Sequence, residues 1–207
     1  MGMQRMIGLL ASLALAVPVA AATAGSGLTV EQARSAAEAS MRLIPGSDID
    51  SDYRILDVRI ADLDGDGVQE IVYWTTATCV GAGFDCPNGL TVMTTLGPDD
   101  VRGANPYPGN SRYLDEDYAA IQSSGYADDT GVQVPGELER MRISGNVISA
   151  TFVSKENSPI CLRIDPGTGK PTHRCPPPGR YTWRWAWTPG KWRGDWVAGT
   201  LIRVDAQ

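Results

Sequence analysis

Residues 58–74 read VRIADLDGDGVQEIVYW, and this stretch is the most informative pattern in the chain. Its centre has the form D-x-D-x-D-G-x-x-E, with carboxylates at Asp62, Asp64, Asp66 and Glu70. The flanks are rich in β-branched and aromatic residues, which are enriched in strands. The stretch therefore predicts two strands joined by an acidic loop, which is the arrangement of a hairpin.

The acidic loop has the oxygen donors that a calcium site requires. Calcium takes about six to eight oxygen ligands at about 2.3–2.6 Å, several of them from carboxylates. Carboxylates at alternate loop positions can converge if the backbone coils tightly, and Gly67 permits a sharp turn. The alternative is a polar hairpin whose Asp-Gly steps simply suit a turn. The predicted calcium ligands are Asp62, Asp64, Asp66, the carbonyl of Val68, and Glu70.

The loop does not have the pattern of an EF-hand. Its twelfth position is Tyr73, where an EF-hand needs a bidentate glutamate, and its flanks predict strands instead of helices. The segment resembles the calcium-binding loops of FG-GAP and VCBS-type repeats, and this resemblance implies the same ligand positions between two strands. The motif occurs once, which argues against a propeller built from repeats. The chain also resembles small secreted bacterial proteins that carry a single such loop, a resemblance that implies no activity.

The rest of the chain predicts an α+β fold. Leu28 to Ile44 has helical spacing, with a capping box formed by Thr29 and Gln32. Residues 113–123 predict a short second helix, whereas 124–137 have a loop-like composition. The remaining segments alternate between strand and turn patterns. We therefore expect one N-terminal helix packed on a mainly antiparallel β-sheet of about seven strands.

The N-terminus has the features of a secretory signal. A short head with one positive charge precedes the apolar run from Met6 to Val19, and small residues follow up to Ala24. The prediction is a signal peptide at 1–24 and a single exported domain at 25–207, in the periplasm or secreted. An uncleaved N-terminal anchor is the alternative. After cleavage, no remaining segment has the length and hydropathy of a membrane span.

Four cysteines are compatible with an oxidising compartment. They allow three disulfide connectivities. We favour pairing within each local, Gly- or Pro-rich loop, and a zinc site that includes His173 is the alternative. The usual C-x2-C spacing of zinc sites is absent. The favoured pairs are Cys79 with Cys86 and Cys161 with Cys175.

A run of aromatic residues alternates along one predicted strand near the C-terminus. Tyr181, Trp183, Trp185 and Trp187 should share one face, because successive side chains of a strand point to opposite sides. This face is either part of the core or an exposed platform on which sugar rings stack. The sequence leaves both interpretations open.

Composition and motifs favour binding or structure over catalysis. The net charge of −6 makes nucleic acid an improbable partner, since phosphate contacts need basic residues. There is one histidine and no G-x-S-x-G motif, so we predict that the chain is not an enzyme. The alternatives are a calcium-dependent carbohydrate-binding protein, an inhibitor of a secreted enzyme, and a hydrolase. The hydrolase would use acids from the set Asp115, Glu116, Asp117 and Glu137.

Overall fold

The computed structural model describes most of the predicted domain, with gaps. The signal segment and all four cysteines lie outside the described residues, so the predicted cleavage, disulfides and zinc alternative stay predictions. The described residues are 27–43, 54–76, 88–97, 100–105, 112–155, 162–164, 167–168, 171–173, 176–192 and 196–205.

Two α-helices are present in this part of the chain, α1 (Val30–Arg42) and α2 (Arg112–Ser124). The predicted capping box of α1 is confirmed. The amide of Gln32 donates to Thr29 Oγ1 at 3.2 Å, and the amide of Thr29 donates to Gln32 Oε1 at 2.9 Å. Neither helix is long and apolar enough to span a bilayer.

The first sheet is antiparallel and contains the predicted acidic hairpin. Its strands, in spatial order, are β1 (Arg54–Ala61), β2 (Glu70–Thr76), β3 (Gly89–Thr95) and β4 (Tyr126–Gln133). The loop prediction for 124–137 is wrong over β4. The sequence of β4 is YADDTGVQ, whose Asp and Gly residues are poor strand formers, but its pairing with β3 overrides that preference.

The second sheet is also antiparallel and is built from the C-terminal half of the chain. It begins with a hairpin of β5 (Glu137–Ser144) and β6 (Val147–Ser154). Two short strands, β7 (Leu162–Ile164) and β8 (Pro171–His173), pair with each other and precede β9 (Gly179–Thr188). After the small β10–β11 ladder (Lys191–Trp192 with Trp196–Val197), β12 (Thr200–Arg203) pairs with β9. The spatial order is β12-β9-β6-β5.

The α+β class is confirmed, but the prediction of one sheet of about seven strands is wrong. The reason is visible in β2, where four consecutive residues, Ile71 to Trp74, are at most 1% exposed. Both faces of this strand therefore need a cover. Helix α1 covers one face, where Ala33 and Ala37 pack with Ile71 and Tyr73. The second sheet covers the other face, and the residues of this shared core include Val72, Trp74, Leu90, Ile148, Phe152, Trp185 and Trp187.

Candidate metal centre

The acidic loop joins β1 to β2, and the last pair of their register is Ala61 with Glu70. Asp62, Asp64 and Glu70 each place one carboxylate oxygen within 4.8 Å of the others. Among the described residues, no other group of three metal-ligating side chains converges in this way. The structure thus brings together three of the four carboxylates that the sequence predicts as ligands.

The Asp66 carboxylate, the fourth that the sequence predicts, is not part of this convergent set of side chains. The carboxylate of Asp66 accepts a hydrogen bond from the amide of Val68 at 2.7 Å, and both residues are exposed. This contact folds the second half of the loop back on itself. Ligand roles for the Asp66 carboxylate and the Val68 carbonyl stay predictions.

Asp62 organises the loop backbone. One of its carboxylate oxygens accepts from the amide of Gly65 at 2.7 Å, and the other accepts from the amide of Gly67 at 3.0 Å. Gly67 has φ +87° and Gly65 has φ +80°, a region that other L-residues avoid. The turn role predicted for Gly67 is therefore confirmed, and Gly65 shares it.

An apolar residue inside the acidic stretch anchors the loop, and the sequence interpretation missed it. Leu63 is only 3% exposed and belongs to the core between the two sheets. Its amide donates to Glu70 Oε2 at 2.7 Å, which fixes that carboxylate against the first turn of the loop. The sequence does contain a signal for this anchor, which is a leucine between two aspartates. A large aliphatic side chain is uncommon in a fully solvated loop and indicates burial.

Glu70 is the buried member of the cluster, with 4% of its surface exposed. Burial is the main cause that raises its pKa to about 7, opposed by the hydrogen bond from Leu63. The negative charges of Asp64, Asp66 and Asp62 raise the pKa further. A bound cation would favour the ionised carboxylate and would displace the proton that this environment otherwise retains.

The C-terminal end of the loop is hydrogen-bonded to β4. The hydroxyl of Tyr126 donates to the carbonyl of Gln69 at 3.0 Å, directly before Glu70. Burial and the nearby charge of Glu70 raise the pKa of the Tyr126 phenol. This contact spans 57 residues, so the spacing of the loop alone does not predict it.

Comparison of the chain with protein-family models, with curated proteins and with solved structures gave no match in any of the three. The resemblance to FG-GAP and VCBS-type loops therefore depends on residues 58–74 themselves. It stays a prediction for this chain, as does its calcium ligation.

The alternating aromatic residues from Tyr181 to Trp187 lie in β9, which we call the tryptophan strand, and they face the core. Trp185 and Trp187 are 4% and 1% exposed, so the alternative of a stacking platform made by Trp183, Trp185 and Trp187 is wrong for these two. Trp183 is half-buried, with its ring edge-on to Phe152 at 5.0 Å between centroids. The guanidinium of Arg203 lies 3.7 Å from the centre of the Trp183 ring and covers part of it.

The acids considered for hydrolysis lie on two separate elements. Asp115, Glu116 and Asp117 are on α2, whereas Glu137 begins β5. Asp117 pairs with Arg42 at 2.6 Å, and Glu137 pairs with Lys155 at 2.7 Å. Each of these two acids is held by a basic side chain, and the arrangement gives the hydrolase alternative no added support.

Proposed function

We propose that this chain is an exported, non-enzymatic protein whose acidic loop binds one calcium ion in a structural role. Its broader role would be in binding or in envelope structure. The observation that carries the calcium proposal is the convergence of Asp62, Asp64 and Glu70 within 4.8 Å, with Glu70 buried.

The donor set supports a hard divalent cation. All predicted ligand atoms are oxygens, which suit calcium or magnesium better than softer metals. Magnesium demands a near-ideal octahedron and usually keeps several waters, whereas calcium accepts irregular sets of six to eight oxygens. A loop that supplies four carboxylates and a carbonyl within nine residues fits calcium better. Asp62, Asp64 and Glu70 would hold the ion, and Asp66 and Val68 would complete the set.

The position of the loop supports a structural role. An ion bound to Asp62 and Glu70 would connect the end of β1 to the start of β2, which lies at the centre of the fold between α1 and the second sheet. An ion that binds only the folded state raises stability by mass action. Extracellular calcium modules have dissociation constants of about 10⁻⁴–10⁻³ M, a range that suits a protein outside the cytoplasm.

The alternative functions gain no comparable support. The carbohydrate-binding hypothesis used the tryptophan strand, of which Trp185 and Trp187 are buried. An inhibitor would insert a disulfide-braced loop, such as the one from Cys161 to Cys175, into a secreted enzyme, and both cysteines lie outside the described residues.

Thermal and urea unfolding with calcium or with chelator tests the proposal. At a calcium concentration about 100-fold above the dissociation constant, the free energy of unfolding should rise by about 2.7 kcal/mol. The double variant Asp62→Asn/Asp64→Asn should lose this increase. The matched control is Glu137→Gln/Glu139→Gln, which removes two carboxylates from the exposed part of β5 and should keep the full calcium effect.

Two results would contradict the proposal. One is a midpoint of the wild-type protein that does not change even at about 100 mM calcium, which is about 100-fold above the weakest dissociation constant expected. The other is a calcium effect of equal size in the wild-type protein and in the Asp62→Asn/Asp64→Asn variant, since the ion would then bind elsewhere. An equal effect of magnesium would keep the site but change the assigned metal.

A further inference from the structure

The outward face of the second sheet carries a group of cations on a chain whose net charge is −6. Arg142, Ser149 and Arg184 lie side by side across β5, β6 and β9, and the next row is Arg140, Thr151 and Thr182. Their sequence neighbours Met141, Ala150 and Trp185 point into the core, so these six residues point away from it. We call this group the arginine face.

The three arginines of this face have no acidic partner within the described part of the chain. Arg140, Arg142 and Arg184 are exposed, and no ion pair or side-chain hydrogen bond joins them to a described carboxylate. Arg180, at the margin of the face, differs because it pairs with Glu139 at 2.6 Å. Asp205 accepts a hydrogen bond from the backbone amide of Arg184, and no described ion pair joins it to the Arg184 guanidinium. The face therefore has an uncompensated positive charge.

One end of the arginine face, at Arg140, Thr151 and Thr182, borders a depression and contains hydroxyl groups. A depression of about 410 Å³ is lined by Glu139, Arg140, Thr151, Arg180 and Thr182. The hydroxyls of Thr151 and Thr182 lie 2.9 Å apart within it. A ligand that enters this depression meets hydrogen-bonding groups between the cationic side chains.

The spacing of the cations fits a polymer better than a compact anion. Neighbouring strands are about 4.8 Å apart, so the backbone positions of Arg142 and Arg184 are about 10 Å apart. Arg140 and Arg142 are two residues apart, or about 7 Å along the strand. A single phosphate or carboxylate would need guanidinium groups that converge on one point. Separated guanidinium groups instead match charges that repeat along a chain.

We propose that the arginine face binds an anionic, carboxylate-bearing polysaccharide. Guanidinium groups pair with carboxylates through two parallel hydrogen bonds, and the threonine and serine hydroxyls match the hydroxyls of the sugar rings. None of the six residues is aromatic, so the face lacks the stacking platforms on which single-stranded nucleic acids depend. The hydroxyl groups beside the cations favour a sugar polymer over an acidic peptide, which offers carboxylates without ring hydroxyls.

The test measures binding of the purified protein to fluorescently labelled polygalacturonate by anisotropy at low salt, with chelator present throughout. Chelator keeps the outcome independent of the calcium proposal, and circular dichroism confirms that each protein is folded. The wild-type protein should bind, and the affinity should fall with added salt because counterions compete. The variant Arg142→Ser/Arg184→Ser should bind about tenfold more weakly. The control Arg54→Ser/Arg59→Ser removes two exposed arginines from β1 and should bind like the wild-type protein.

Three results would overturn the proposal. The first is the absence of binding by the wild-type protein at low salt. The second is an equal loss of affinity in the two double variants, which would indicate general electrostatic attraction. The third is binding to poly-glutamate or to an oligodeoxynucleotide that equals or exceeds binding to polygalacturonate, because the face would then recognise another class of macromolecule.

Discussion

Trp187 donates its indole N–H to a carboxylate oxygen of Asp129 at 3.1 Å, and this hydrogen bond connects the two sheets. Asp129 lies in β4 of the first sheet, and Trp187 lies in β9 of the second. The other carboxylate oxygen of Asp129 accepts from the amide of Gly199 at 2.8 Å. Asp129 is 6% exposed. It has no paired residue in β3, because the β3–β4 register shifts between Val92 and Met93. A buried acid at this irregularity thus satisfies one donor in β9 of the second sheet and one in the residue that precedes β12.

Replacement of Asp129 by alanine should destabilise the protein by about 2–4 kcal/mol, because two buried donors lose their acceptor and a cavity forms. Asp129→Asn should cost less, since its side-chain oxygen can still accept one of the two bonds. The measurement is urea unfolding of both variants at one pH. Equal stability of Asp129→Ala and wild-type protein would mean that water replaces the carboxylate at little cost.

Gly199 should tolerate no side chain. An added Cβ would overlap the Asp129 carboxylate and would lie 2.7 Å from the carbonyl of Thr188. We expect Gly199→Ala to lower the free energy of unfolding by about 1–3 kcal/mol, the usual cost of overpacking. The matched control is Gly97→Ala, where an added Cβ meets nothing within 4 Å. Similar unfolding midpoints for the two variants would contradict this prediction. They would mean that the atoms around Gly199 shift at little cost to accommodate a methyl group.

Asp128 should make stability depend on pH. Burial is the largest influence on this carboxyl and raises its pKa, opposed by hydrogen bonds from Ser40 and Tyr73 and by the charge of Arg102. The folded protein therefore binds this proton more tightly than the unfolded chain does. The associated stability is complete below the unfolded pKa of about 3.9 and is lost as pH rises through the raised value.

The variant Asp128→Asn isolates this effect. It keeps an acceptor for the Tyr73 hydroxyl, which lies 3.0 Å from the nearer carboxylate oxygen, but it does not ionise. Its stability relative to wild type should therefore improve as pH rises from acid to neutral. Unfolding curves for both proteins across that interval give the difference, in which contributions of other groups such as Glu70 cancel. A difference that is constant with pH would argue against the raised pKa.

Replacement of Gly67 should destabilise the protein only through strain in its backbone conformation. An added Cβ meets nothing within 4 Å, but φ is +87°, so Gly67→Ala should cost about 1–2 kcal/mol. If the calcium proposal is right, calcium affinity should also fall, because the amide of Gly67 orients Asp62. Chemical unfolding and calcium titration measure the two effects separately. Gly97→Ala again serves as the control, and a cost no larger than that of the control would rule out the strain.

Local patterns predicted the local structures well. The capping pair Thr29 and Gln32 correctly marked the start of α1. The acidic loop was predicted between two strands, as found. Each of these features depends on residues within a few positions of one another. The spacing of such residues in the sequence therefore largely fixes how they are placed in the structure.

Long-range pairing was not predictable in the same way. Strand β4 has the composition of a loop and becomes a strand only because β3 supplies its hydrogen-bond partners. Trp185 and Trp187 alternate as either a core or a surface strand would, and only the packing against Leu90 and Val92 decides for the core. Tyr126, whose hydroxyl donates to the carbonyl of Gln69 at the end of the acidic loop, escaped notice for the same reason.

The sequence by itself determined the local elements, the acidic loop and the alternation of its strands, because backbone propensity and turn chemistry act over a few residues. Only the packed structure shows that the strands form two sheets and that arginines without a described acidic partner gather on one outward face. Those outcomes depend on which surfaces of β2 must be covered and on contacts between residues that are tens of positions apart. Burial of both faces of one strand is a property of the packed molecule, and no local pattern in the chain specifies what covers each face.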